Sequence, residues 1–167
     1  GSMSRTEIIK VLDERLDNYN RISTKWDEFL LRTTYLTYPQ KEKFLNELNK
    51  IKRYSKFPWY SFIFFRIMRE FRDLRSKVVI FNEEVTEYNV DFVSKRSRIH
   101  KTFFKGKDDQ LGYPLDNEQI DAIIKDDQHN LIVAAAGSGK TSVIAARIAY
   151  LIRRKDAVKP ERILAIA

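Results

Sequence analysis

The stretch Asn130-Leu-Ile-Val-Ala134-Ala-Ala-Gly137-Ser-Gly139-Lys140-Thr141-Ser142 decides how this chain is read. Its opening, Asn130 to Ala134, is a short apolar run of the kind that forms a buried parallel strand. Small residues follow, and then an amphipathic run through Val143, Ile144, Ile148 and Leu151 at helical spacing. Strand, small-residue loop, Lys-Thr and helix is the architecture of a phosphate-binding loop. Each part has a physical task. Gly137 and Gly139 let the backbone curl until successive N–H groups, over Ala134, Ala135, Ala136 and Ser138 as well, face phosphate oxygens. The helix adds the partial positive charge of its N-terminus. Lys140 reaches the β- and γ-phosphates, and the Thr141 hydroxyl is placed to ligate Mg2+. The usual pattern begins with Gly where this chain has Ala134, and a Cβ is tolerated there only if the backbone is not left-handed. The bland alternative is a glycine-rich turn joining a strand to a helix.

Upstream, Pro114-Leu-Asp116-Asn-Glu-Gln119-Ile-Asp-Ala-Ile-Ile opens a helix. Asp116 is suited to the N-cap, and Gln119 stands where a capping box takes Glu or Gln. On that reading Gln119 closes a helix end. On the sharper one its amide, both donor and acceptor, pairs with the N6 and N7 edge of adenine.

The rest of the chain is a different material. Residues 1–110 hold 23 Lys/Arg against 16 Asp/Glu, and residues 111–167 hold 8 against 7. The chain's net charge of +8 favours partners that carry phosphate. The absence of cysteine excludes disulfides, thiolate metal sites and a cysteine nucleophile, and His100 and His129 lie too far apart to suggest a zinc cluster. The apolar stretch 57–68 is broken by Arg66 and falls short of the roughly 18–20 residues a membrane span needs. A soluble, cytoplasmic protein is expected.

Residues 4–105 read as helix. Ile9, Leu12, Leu16, Tyr19, Trp26 and Leu30 alternate spacings of three and four, with Ser23 as a polar gap. A turn at Thr37-Tyr38-Pro39 precedes a shorter helix marked by Phe44, Leu45, Leu48 and Ile51 and ending near Pro58. A heptad stripe then runs through Tyr60, Phe64, Ile67, Phe71, Leu74, Val78, Phe81, Val85, Tyr88 and Phe92, predicting one helix of about 50 Å. β-propensity in Val78-Val-Ile-Phe81 yields to the unbroken heptad. These patterns predict a helical bundle or antiparallel coiled coil, with the aromatic stripe as its core. Between Lys50 and Lys77 nine basic residues face two acidic ones, and Arg66, Arg69, Arg72 and Arg75 recur every third residue. That spiral is either a solvated face or a surface for the nucleic-acid backbone.

The Pro-Leu-Asp-Asn-Glu-Gln119 segment, Ala134-Ala-Ala-Gly-Ser-Gly-Lys-Thr-Ser-Val143 and Ala149-Tyr-Leu-Ile152 together resemble the start of a UvrD/Rep-type superfamily 1 helicase. Residues 82–114, through Phe103-Phe104, resemble the lead-in of its helicase IV branch. The resemblance implies that Gln119 is the adenine-reading Q motif and that Gly137 to Thr141 are motif I. A small residue at Ala134 is ordinary in that family. It further implies ATP and Mg2+ as cofactors, single-stranded DNA as partner, a role in DNA repair, and a RecA-like α/β motor. The expected organisation is mostly α: a helical accessory domain over 4–105, a linker over 106–114, and over 115–167 the first β-strands and helices of the motor. Arg162-Ile-Leu-Ala-Ile-Ala167 would be its second strand. Past Thr141 the acidic residues are Asp156 and Glu161, and no Asp-Glu pair follows an apolar run, so these residues alone are expected not to turn over ATP. Two other readings stand beside the helicase: an ATPase acting on RNA polymerase through a helical arm, and a non-catalytic coiled-coil module binding a protein partner.

Overall fold

Ser4 starts the first helix by a device the sequence reading passed over. Its hydroxyl accepts from the Glu7 N–H at 3.3 Å, and the Glu7 carboxylate accepts from the Ser4 N–H at 2.6 Å, a complete capping box. From it α1 runs Arg5–Arg32. It stops at Thr33, the one non-glycine at positive φ among the described residues, whose N–H closes on the Leu30 carbonyl. In this computed structural model the described residues are 4–54, 65–106 and 111–166. The expectations on Pro58, Tyr60, Phe64 and Ala167 lie outside them, as does linker segment 107–110.

Helix α2 is Tyr38–Tyr54 and α3 is Phe65–Ile99. Short α4 is Lys101–Phe104, α5 is Asn117–Ile124, α6 is Lys140–Arg153, and a 3-10 turn covers Pro160–Arg162. The chain divides into two compact units, Gly1–Tyr88 and Asn89–Ala167.

The first unit is a three-helix bundle. The described stripe residues of α3 within it, Ile67, Phe71, Leu74, Val78, Phe81 and Val85, are all buried, so the heptad is the core and Val78–Phe81 is helix. Trp26 is the hub. Its ring stacks on Phe29, meets Phe44 and Tyr88 edge-on and lies against Phe81, while its indole N–H donates to Glu84 at 2.8 Å. Contacts between α1 and α3 climb together along both helices, from Arg15 on Phe71, through Tyr19 on Phe81, to Phe29 on Tyr88. These two helices are therefore parallel, and α2, packed between the turns, runs against them. Of the two expected arrangements the helical bundle is the one formed, with an up-down-up course, and not the antiparallel coiled coil.

The α1 stripe holds at Leu12 and Trp26, which are buried, and at Leu16, Tyr19 and Leu30, which pack on the core; it is corrected at Ile9. The buried set is Ile8, Leu12, Ile22, Trp26 and Phe29, and Ile9 is exposed. Its heptad passes through Arg15, whose guanidinium lies 5.4 Å from the centre of the Phe71 ring. An arginine fills a core-facing position when its stem is buried and its head finds an aromatic face.

In the second unit Phe103, Phe104, Leu111, Leu115, Ile123, Ile124, Val143, Ala146 and Tyr150 form a core, with Phe92 and Val93 of α3 packed on it. No strand forms among the described residues. The two predicted strands, 130–134 and 163–166, carry no ladder; a strand, unlike a helix, satisfies its backbone only through a neighbour.

Candidate functional site

The loop between residue 130 and α6 has the backbone its glycines suggested. Gly137 and Gly139 sit at φ of 78° and 83°, in the region closed to most side chains. Ala134 is not at positive φ, so its Cβ is unstrained. The Lys140 ammonium folds back into the curve and donates to the carbonyls of Ala134 and Ala135, each at 2.8 Å. The Ser138 hydroxyl donates to the same Ala135 carbonyl at 2.7 Å. Gly139 caps α6 without a side-chain acceptor, and the first helical bond is Val143 N–H to Gly139 carbonyl. The amides of Lys140, Thr141 and Ser142 thus precede the helical ladder and lie at the positive end of its dipole. Thr141 is exposed and Ser142 half-buried. Two left-handed glycines, a helix N-terminus, one ammonium and one exposed hydroxyl thus stand together at this loop.

Gln119 reaches this loop. Asp116 is the N-cap of α5: its carboxylate accepts from the Gln119 N–H at 2.8 Å, and Gln119 Oε1 accepts from the Asp116 N–H at 3.0 Å. The capping reading is therefore correct. The other end of the amide faces the loop, since a Cβ added to Gly139 would stand 3.5 Å from Gln119 Nε2. Tyr113 approaches the same helix start, its hydroxyl donating to the Ser142 carbonyl at 3.2 Å.

The residues missed in the sequence are charged. Asp126 accepts from Arg147 at 2.7 Å and from Arg154 at 2.6 Å, and Arg154 also meets Asp156 at 3.5 Å. Arg96, buried, closes the series on Asp156 at 3.7 Å. The seven-residue spacing of Arg147, within α6, and Arg154, its C-cap, was the available signal. Nearby, His100 packs edge-on against Tyr150. Burial, then the charges of Arg96 and Arg153, depress its pKa below the ordinary value.

Arg66, Arg69, Arg72 and Arg75 are all exposed on α3, in the first unit, whereas the loop and Gln119 belong to the second. Arg66 meets Glu70 at 3.8 Å, a surface pair of little energetic weight. No helix among the described residues is long and apolar enough to cross a membrane.

Loop, helix and Gln119 fall within one family match: residues 115–167 match the UvrD/REP helicase N-terminal domain. Among similar proteins, a probable DNA helicase II homolog of Mycoplasma capricolum is 46% identical over 52 residues, covering 31% of this chain and 7% of that protein. DNA helicase IV of Escherichia coli is 44% identical over 54 residues, 32% of this chain and 8% of that one. The ATP-dependent DNA helicase PcrA of Staphylococcus epidermidis is 50% identical over 52 residues, again 31% and 7%. The chain thus spans under a tenth of the length of these three relatives. No solved structure matches.

Proposed function

We propose that residues 115–167 open the ATP-binding motor of an ATP-dependent DNA helicase, with 4–105 as a helical accessory domain and 106–114 as linker. The backbone from Ala134 to Gly139 cradles the triphosphate, and Lys140 exchanges the loop carbonyls for the β- and γ-phosphates. The Thr141 hydroxyl holds Mg2+, with Ser142 completing the first turn. Gln119 reads adenine. Its Oε1 keeps a second lone pair beside the capping bond, so closing the helix and pairing with a base do not compete. Hydrolysis of the bound nucleotide supplies the free energy for stepping along single-stranded DNA in the complete, cytoplasmic protein. The 167 residues alone are expected not to hydrolyse ATP. Arg66, Arg69, Arg72 and Arg75 contact the DNA backbone.

The observation that carries this reading is the pairing of Lys140, inside a loop with two left-handed glycines, with Gln119 against Gly139. It is tested by titrating the isotope-labelled chain with ATP and with tripolyphosphate. Lys140→Ala removes a charge-assisted contact worth about 1.5–3 kcal/mol, and affinity for both should fall roughly 10- to 100-fold. Unchanged affinity would remove the loop from phosphate binding. For the arginines, reversing the charge of Arg69 and Arg72 should make the salt dependence of single-stranded DNA binding shallower. An unchanged slope leaves them a solvated face.

A further inference from the structure

Asp126 lies just past α5, in the polar run from Lys125 to Asn130, and grips α6 at two levels. One carboxylate oxygen takes Arg147 and the other takes Arg154, seven residues further on. The Arg147 guanidinium also donates to the carbonyls of Ile123 and Lys125, the second at 2.8 Å, at the C-terminal end of α5. A helix of eight residues is too short to persist on its own. Its last carbonyls have no partner within the helix, and Arg147 supplies them with donors. The opposite end of α5 carries Gln119, whose amide lies by Gly139. The place of that amide is therefore set by a short helix that packs on α6 through Ile123 and Ile124 and whose far end is tied to α6 by Arg147, itself held by Asp126.

We infer that Asp126, acting through Arg147 and Arg154, is a positioning residue for the base end of the nucleotide site. It keeps α5 on α6 so that the Gln119 amide stays against the phosphate loop. The inference rests on the reading of Gln119 and the loop as a nucleotide site. None of the three charged residues belongs to the phosphate cradle, so the triphosphate and the base should respond differently to their loss. Asp126→Asn keeps the shape but turns one acceptor oxygen into a donor facing a guanidinium, which breaks one of the two grips.

The experiment uses the 167-residue chain and two measurements. Without nucleotide, the nuclear Overhauser contact between the Gln119 side-chain amide and Gly139 reports the position directly. With nucleotide, affinities for ATP, GTP and tripolyphosphate separate base from phosphate. In Asp126→Asn the contact should be lost and the preference for ATP over GTP should fall about tenfold, the low end of a bidentate base contact, with tripolyphosphate affinity held within about twofold. Asp126→Glu, which keeps both acceptor oxygens, should recover the contact and the preference. Should Asp126→Asn fail to fold, Arg154→Lys weakens one grip only and carries the same expectation at smaller size. A folded variant that retains both contact and preference overturns the inference. A parent chain whose loop amides ignore tripolyphosphate overturns the nucleotide reading instead, and the Overhauser contact still decides whether Asp126 positions Gln119.

Discussion

The two units of this molecule use apolar residues in opposite ways. In the first, the heptads of α1 and α3 close on each other and on α2, and Trp26, Leu36, Leu48, Leu74, Val78 and Val85 are almost wholly removed from water. In the second, the helices bury one face, while Leu131, Val133, Leu164 and Ile166 stand 84–89% exposed. The contrast follows from hydrogen bonding. A helix completes its backbone bonds internally and needs neighbours only for its side chains, whereas an extended segment needs a neighbour for both. Heptad sequence therefore reports apolar burial that helices close among themselves, and short apolar runs report segments whose side chains stay open to water here.

The largest effect is expected at the hub of the first unit. Trp26→Ala removes a buried indole with four aromatic neighbours, and should cost about 3–5 kcal/mol, read by thermal unfolding. Resonances of the second unit should stay in place; their collapse would show that the two units share one transition.

Next comes the register of α1. Ile22→Ala, at a buried position, should cost about 2–5 kcal/mol. Leu31→Ala, at an exposed one, should stay within about 0.5 kcal/mol. Equal costs would mean that α1 buries another face.

His100 gives the second unit a pH dependence the first should lack. Its folded pKa lies below the unfolded value of 6.5, because burial and the neighbouring arginines disfavour the imidazolium. Between the two values the unfolded chain holds more protons, so stability is full above about pH 6.5 and declines as pH falls below it. His100→Phe should flatten that decline when unfolding is followed from pH 8 to 5. An unaltered decline would assign it elsewhere.

The smallest effect is expected where apolar residues are most exposed. Leu131→Ser with Val133→Ser should shift stability by no more than about 0.5 kcal/mol for each residue and raise solubility. A large loss would mean that these side chains are covered in solution.

Much of this was legible in the residues. The α3 stripe needed only its spacing, and the Asp116–Gln119 box only two side chains three apart. The loop before α6 announced its left-handed glycines. The register of α1 was harder, because Ile8-Ile9, Arg15-Leu16 and Phe29-Leu30 each offer two adjacent residues to the same face. Leu16 does pack on the core, but Arg15 shares the inner side with it because the Phe71 ring receives its guanidinium, which a rule that charges stay outside does not foresee. Whether α1 and α3 run parallel is not a local property, so periodicity could not give it. Asp126 was passed over because its meaning lies in two arginines more than twenty residues away.

The parallel course of α1 and α3 bears on how the first unit assembles. Trp26 meets Phe44 across the short turn between α1 and α2, but reaches Glu84 across 58 residues, as Tyr88 reaches Thr34 across 54. Closing the long span costs more chain entropy than closing the short one, and the native contacts repay it only once formed. The α1–α2 hairpin is thus the early element, and the return of α3 sets the pace. In stopped-flow refolding read by Trp26 fluorescence, lengthening the connection between α2 and α3 with glycines should slow the approach to the native state.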